Sequence, residues 1–143
     1  MKIAVDFDGT IVENAYPSIG AERPFAVATL KQLVAEKHKL VLWTVREGKQ
    51  LDAAVQWCRE RGLEFYAINR DYPEEDAANN NHFSRKLKAD IFIDDRNLGG
   101  LPDWGVIYTM ISKGLTAAQY YADMDAAPAA PVKKGLFFRL KNR

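Results

Sequence analysis

The chain has 143 residues, 48% apolar and 27% charged, which suits one domain with a real core and excludes a disordered polypeptide. A formal charge of +1 excludes strong general attraction to nucleic acid, and the single cysteine, Cys58, excludes an internal disulfide framework and suits a reducing compartment. The N-terminal stretch is too acidic for a signal peptide and no run reaches transmembrane length, so a cytoplasmic protein is expected.

"KIAVDF" (2–7) is apolar and β-branched and reads as the first strand. "RPFAVATLKQLVAEKHK" reads as a helix, with Pro24 in its first turn and Val27, Leu30, Leu33 and Val34 on one face. "LVLWT" (40–44) is a second buried strand. "GKQLDAAVQWCRERG" is a second helix, with Leu51, Val55 and Cys58 at helical spacing and Gly62 as a left-handed stop. "LEFYAIN" (63–69), "ADIFIDD" (89–95) and "GVIYTMI" (105–111) complete a set of five strands. Strands too apolar to face water, separated by helices, predict an α/β protein with a parallel sheet covered on both sides.

Two stretches break the pattern. "NRDYPEEDAANNNHFSRK" (69–86) is polar, without a helical stripe, and reads as a long functional loop. From Asp123 the sequence reads as an Ala/Pro linker followed by a basic, aromatic tail, dividing the chain into a domain 1–122 and a segment 123–143. The segment carries +3 and the domain −2. The tail's Leu136, Phe137, Phe138 and Leu140 lie among those cations, a pattern that fits an anionic membrane surface. Docking on the acidic body, or on a neighbouring subunit in a homo-oligomer, is the preferred expectation.

A parallel sheet binds ligands beyond the carboxyl ends of its strands. Asp6 and Asp8 end the first strand, Thr44 the second, Asn69 the third, and Asp94 and Asp95 the fourth, with Lys86 close by. Carboxylates packed together repel unless a cation joins them, and an all-oxygen set suits Mg²⁺. Thr44 and Lys86 then remain as donors for an anion such as phosphate. The constellation reads as metal-assisted phosphoryl transfer.

Asp6-Phe7-Asp8-Gly9-Thr10, Thr44 after an apolar strand, Lys86, and Asp94-Asp95 after another together resemble the four motifs of the haloacid dehalogenase-like (HAD) hydrolase superfamily, over residues 2–111. The whole chain is similar to small bacterial members without a cap domain. The resemblance implies a three-layer α/β/α sandwich around a five-stranded parallel sheet and a Mg²⁺-dependent phosphatase. It implies Asp6 as nucleophile, forming an aspartyl-phosphate, and Asp8 as the proton donor and acceptor. Gly9 would let the chain leave the strand tightly, and Gly9, Thr10, Thr44 and Lys86 would form the phosphate-binding set; Arg46, in "TVREG", is a further candidate for that set, with a substrate contact or a solvent-facing position as its alternatives. Mg²⁺ would be held by Asp6, the Asp8 carbonyl and Asp95, with Asp94 behind.

Lys88 is the rival to Lys86, and Asn69, Arg70, Arg96 and Asn97 are candidate substrate contacts. His38 and His82 have no metal-ligand spacing, and Trp43, Trp57 and Trp104 read as packing. A receiver-like phospho-acceptor domain shares these residue types, but its acidic pair precedes the acceptor aspartate and its lysine comes late. A catalytically silent binding module on the same scaffold is the other alternative. Neither gap between the motifs holds a separate domain, so the rim is expected to be open. The loop 69–85, with Arg70, Tyr72, His82 and Arg85, alone or with a partner subunit, is then expected to close over a small phosphorylated metabolite rather than a macromolecule.

Overall fold

The computed structural model describes residues 1–76, 78 and 84–126. The described elements are β1 (Lys2–Val5), α1 (Ala26–Ala35), β2 (Lys39–Leu42), α2 (Gly48–Glu60), β3 (Ala67–Ile68), β4 (Ile91–Ile93), α3 (Trp104–Lys113) and α4 (Ala117–Ala126). The strands form one parallel sheet in the order β3-β2-β1-β4. Alternation along each strand divides its side chains between two faces. Ile3, Val5, Leu40, Leu42 and Ile93 pack with the apolar stripes of α1, α2 and α3 into the main core.

The other face is different. Ala4, Val41 and Ala67 are small, and Leu87 covers them with Trp43, Tyr66, Ala89 and Phe92 at the margins. No helical residue belongs to that cluster. The structure therefore corrects two expectations. The sheet has four described strands, not five, and among the described residues α1, α2 and α3 share one face, so the expected helix-sheet-helix layering is not what is seen.

The fifth strand is the source of the first difference. Residues 105–111 are helical, inside α3, with Trp104, Ile107 and Ile111 buried at helical spacing. The helix follows Pro102-Asp103 and stops at Gly114, whose φ of 64° is left-handed. Those punctuation marks outweigh the β-branched composition. Pro24 lies two residues ahead of α1, whose first turn is held by Glu22 Oε1 accepting from the Val27 N–H at 3.2 Å. Gly62 takes φ 72° as its position after α2 predicts. The helix α4 continues through Asp123 to Ala126 with none of its residues buried, so the extended reading of 123–126 gives way to helix. The rest of the linker and the basic tail lie outside the described residues, as does His82.

Cys58 is buried in the main core, and burial pushes its thiol up to about 12 from 9.0. Three pKa units mean ~10³-fold less thiolate at neutral pH, before steric protection is counted. Native protein should therefore resist iodoacetamide, and label only when denaturant unfolds it; stoichiometric labelling of the folded chain would contradict the packing. No helix among the described residues is long and apolar enough to cross a membrane.

Candidate active site

The register pairs Val5 with Ile93, so Asp6 and Asp94 leave the sheet side by side at its carboxyl edge. The Asp6 N–H still donates to Ile93 O at 3.0 Å, extending the ladder by one residue. Asp6, Asp94 and Asp95 are half-buried, and each offers an oxygen within 4.8 Å of the others. Such a set suits a hard divalent cation, whose charge would offset the mutual repulsion. The Asp6 carboxyl is pushed up to about 7, first by burial and then by Asp94 and Asp95, against the lowering effect of hydrogen bonds from the Phe7 N–H and Thr10.

After Asp8 the chain turns sharply. The N–H groups of Thr10, Ile11 and Val12 all point at Phe7 O, between 2.9 and 3.3 Å. Gly9 has φ 87°, and a Cβ there would lie 2.3 Å from Asp95 Oδ2. Glycine is thus needed both for the turn and for the approach of Asp95. Thr10 is fully buried. Its hydroxyl accepts from the Asp95 N–H at 3.0 Å and lies 3.1 Å from Asp6 Oδ2, tying the ends of β1 and β4 together. Trp104 Nε1 donates to Thr10 O at 3.1 Å, so α3 buttresses the same turn. Thr10, which the resemblance puts in the phosphate-binding set, has its hydroxyl engaged as a tie between these strand ends.

Arg46 also departs from expectation. It is 1% exposed and its guanidinium clasps Asp8, with Nε to Oδ2 at 2.6 Å and Nη2 to Oδ1 at 2.7 Å. Its remaining donors meet the carbonyls of Pro17, Ser18 and Gln50. With five N–H groups committed to protein acceptors, none is left for a phosphate.

Thr44 is held at the rim by its N–H donating to Asn69 Oδ1 at 2.8 Å, while its Oγ1 accepts from the Arg46 N–H at 3.1 Å. Asn69, at φ 53°, therefore pins the end of β2. A cleft of about 220 Å³ is lined by Asp6, Asp8, Trp43, Thr44, Val45, Asp94 and Arg96. Arg96 is exposed, and its N–H donates to Asp94 Oδ1 at 2.8 Å. Lys86 does not line the cleft; its Nζ stands 5.6 Å from the centre of the Phe92 ring, on the same face as Asp94 but lower down the strand. Lys88 donates its N–H to Asp71 Oδ1. Asp71 is also met by Lys2, through Nζ to Asp71 O at 2.8 Å, and by Glu75. The described part of the long loop thus runs from the rim toward Lys2, at the start of β1, instead of over the acidic cluster.

Sequence reasoning missed Trp104 as a support of the site and Arg46 as the partner of Asp8. The 104, 107, 111 spacing was the available signal for the first. Nothing local signals the second, because Asp8 and the carbonyls of Pro17 and Ser18 all lie far from Arg46 in the sequence.

Fold and site together define an α/β protein with an acidic cluster and a small cleft at the carboxyl edge of a parallel sheet. No family model and no curated protein matches the chain. A solved structure described as the conserved protein coded by locus from Bacteroides thetaiotaomicron is 67% identical, with a TM-score of 0.80, over 85% of this chain and 97% of that one. The chain belongs to the family of that protein.

Proposed function

We propose that the protein is a Mg²⁺-dependent phosphatase of the HAD-like superfamily, hydrolysing a phosphate monoester through a phosphoryl group carried on Asp6. The observation that carries this reading is the convergence of the Asp6, Asp94 and Asp95 oxygens within 4.8 Å, beside a cleft that Asp8, Thr44 and Arg96 also line. Asp6 attacks phosphorus, and Asp8 exchanges protons with the leaving oxygen and with water. Thr44 has a hydroxyl proton to offer a phosphoryl oxygen, and Arg96 supplies the cation. Bound at Asp6, Asp95 and Asp94, the metal would neutralise charge on the transferring group. A cleft of this size suits a small phosphorylated metabolite.

The test is phosphate release from a panel of phosphorylated metabolites and from an artificial ester, with Mg²⁺ and with EDTA. Turnover should require the metal. Asp95→Asn should raise the Mg²⁺ concentration for half activity by about tenfold, more than Asp94→Asn does, because on this reading Asp95 is the direct ligand and its charge is lost. The opposite ranking would give the principal ligand role to Asp94, and metal-independent turnover would remove the reading.

A further inference from the structure

Three residues stand in a row where the sheet ends. Val5 is in register with Leu42 on one side and Ile93 on the other, so the next positions, Trp43, Asp6 and Asp94, are neighbours across β2, β1 and β4. The Trp43 N–H donates to Val5 O at 2.8 Å and carries the ladder up to this row. Val5, Leu42 and Ile93 belong to the main core, and alternation turns the row to the opposite face. No helical residue joins the cluster on that face. Trp43 sits at the margin of the cluster, half-buried, and also borders the cleft beside Asp6.

Val45 borders the same cleft and is 81% exposed. An exposed valine is ordinary by itself. Beside Trp43, with Thr44 between them, it completes an apolar wall along one side of the site. The polar lining residues have other tasks. Both oxygens of Asp8 accept from Arg46, and in the reading above Thr44 and Arg96 face the phosphoryl group while Asp6 and Asp94 serve phosphorus and the metal. Among the described lining residues no polar side chain is left to replace the water that a sugar's hydroxyls would give up against this wall. A flat apolar ring gives up no hydrogen bonds there and gains contact with the indole.

We propose that Trp43 and Val45 form the substrate-selecting wall of the site, and that the substrate is a small phosphate monoester whose alcohol carries a planar aromatic or heteroaromatic ring. This rests on the phosphatase reading above and deepens it. The ring lies against the indole while the phosphoryl group reaches Asp6, and the cleft of about 220 Å³ suits a phosphoryl group with a single ring. The wall holds the group that departs and takes no part in making or breaking bonds.

Benzyl, cyclohexylmethyl and ethyl phosphate and glucose 6-phosphate are all esters of primary alcohols, so their leaving groups are similar and the comparison reads the wall. With Mg²⁺, kcat/KM should be highest for benzyl phosphate, several-fold above the cyclohexylmethyl ester and about tenfold or more above the other two. Trp43→Ala should cost benzyl phosphate about tenfold more than it costs ethyl phosphate, chiefly in KM, and Trp43→Phe should keep most of the preference. Val45→Ser, at an exposed position, should weaken the preference a few-fold and covers the case of an unfolded Trp43→Ala. Benzylphosphonate, whose carbon–phosphorus bond is not hydrolysed, reads binding apart from turnover. It should change the tryptophan fluorescence of the wild type but not of Trp43→Phe, and should bind about tenfold more tightly than ethylphosphonate. Equal losses on the benzyl and ethyl esters in these variants, or the sugar ester as the best substrate, would overturn the wall. If the wild type hydrolyses none of the esters, the phosphatase reading fails; the phosphonate pair still decides the wall, and equal affinities would overturn it.

Discussion

Replacing Asp6 by asparagine should abolish phosphate release, by about 10⁴-fold or more, and should also stabilise the metal-free protein at pH 8. The two effects share one cause. Asp6 is placed against Asp94 and Asp95 in a partly dry site, and its carboxyl is pushed from 3.8 to about 7, chiefly by burial. Between those values the folded chain holds a proton that the unfolded chain has lost, so stability falls as pH rises through the window and the loss is complete above about 7. A shift of that size corresponds to about 4 kcal/mol at most, and partial access to water reduces it to about 2–3 kcal/mol. Asparagine carries no charge, so the variant should lack this pH dependence. Mg²⁺ at pH 8 should recover much of the wild-type loss and do little for the variant, since ligation favours the ionised carboxylate. Urea unfolding of both proteins at pH 5 and pH 8, with and without EDTA, measures this. Equal pH slopes would show that Asp6 is not the strained group, and retained turnover would move the nucleophile elsewhere.

How much of this was legible in the sequence depends on the range of each interaction. The cores of β1, β2 and β4 were readable because a short apolar run ending in aspartate or threonine fixes both the element and the edge on which its polar residues emerge. Convergence of Asp6 with Asp94 and Asp95 follows from parallel pairing alone, so it too was legible. The run 105–111 was not, because Val, Ile, Tyr and Thr favour strands while the burial of Trp104, Ile107 and Ile111 is helical, and a seven-residue window does not settle between them. The layering was hidden for another reason. Ala4, Val41 and Ala67 look like strand interior whichever element covers them, and here it is a segment around Leu87. Arg46 was read as a phosphate contact because sequence shows its charge but not the carbonyls of Pro17 and Ser18 that hold it. Lys86 was expected within reach of the rim, but its Nζ stands 5.6 Å from the centre of the Phe92 ring, a contact that sequence does not show.

Gly9→Ala should be the most damaging small substitution in the chain, lowering stability by about 2–4 kcal/mol and raising the Mg²⁺ requirement about tenfold or more. Part of the loss is backbone strain, because alanine at φ 87° leaves the region that L-residues tolerate. The larger part is displacement. The new methyl would lie 2.3 Å from Asp95 Oδ2 and 2.7 Å from its Cγ, far inside van der Waals contact. Asp95 has no easy retreat as a unit, because its N–H is bonded to the Thr10 hydroxyl and Thr10 is held in turn by Trp104. Its carboxylate must therefore swing, which changes the spacing of its oxygens from those of Asp6 and Asp94. Gly48→Ala separates the two contributions. Gly48 also has positive φ, at 52°, but nothing lies within 4 Å of its added Cβ, so this variant should lose only about 1 kcal/mol and keep the wild-type Mg²⁺ dependence. Chemical denaturation and metal titration of both variants would test the argument. If Gly9→Ala loses stability without any change in Mg²⁺ demand, the contact between Gly9 and Asp95 serves the fold and not the metal.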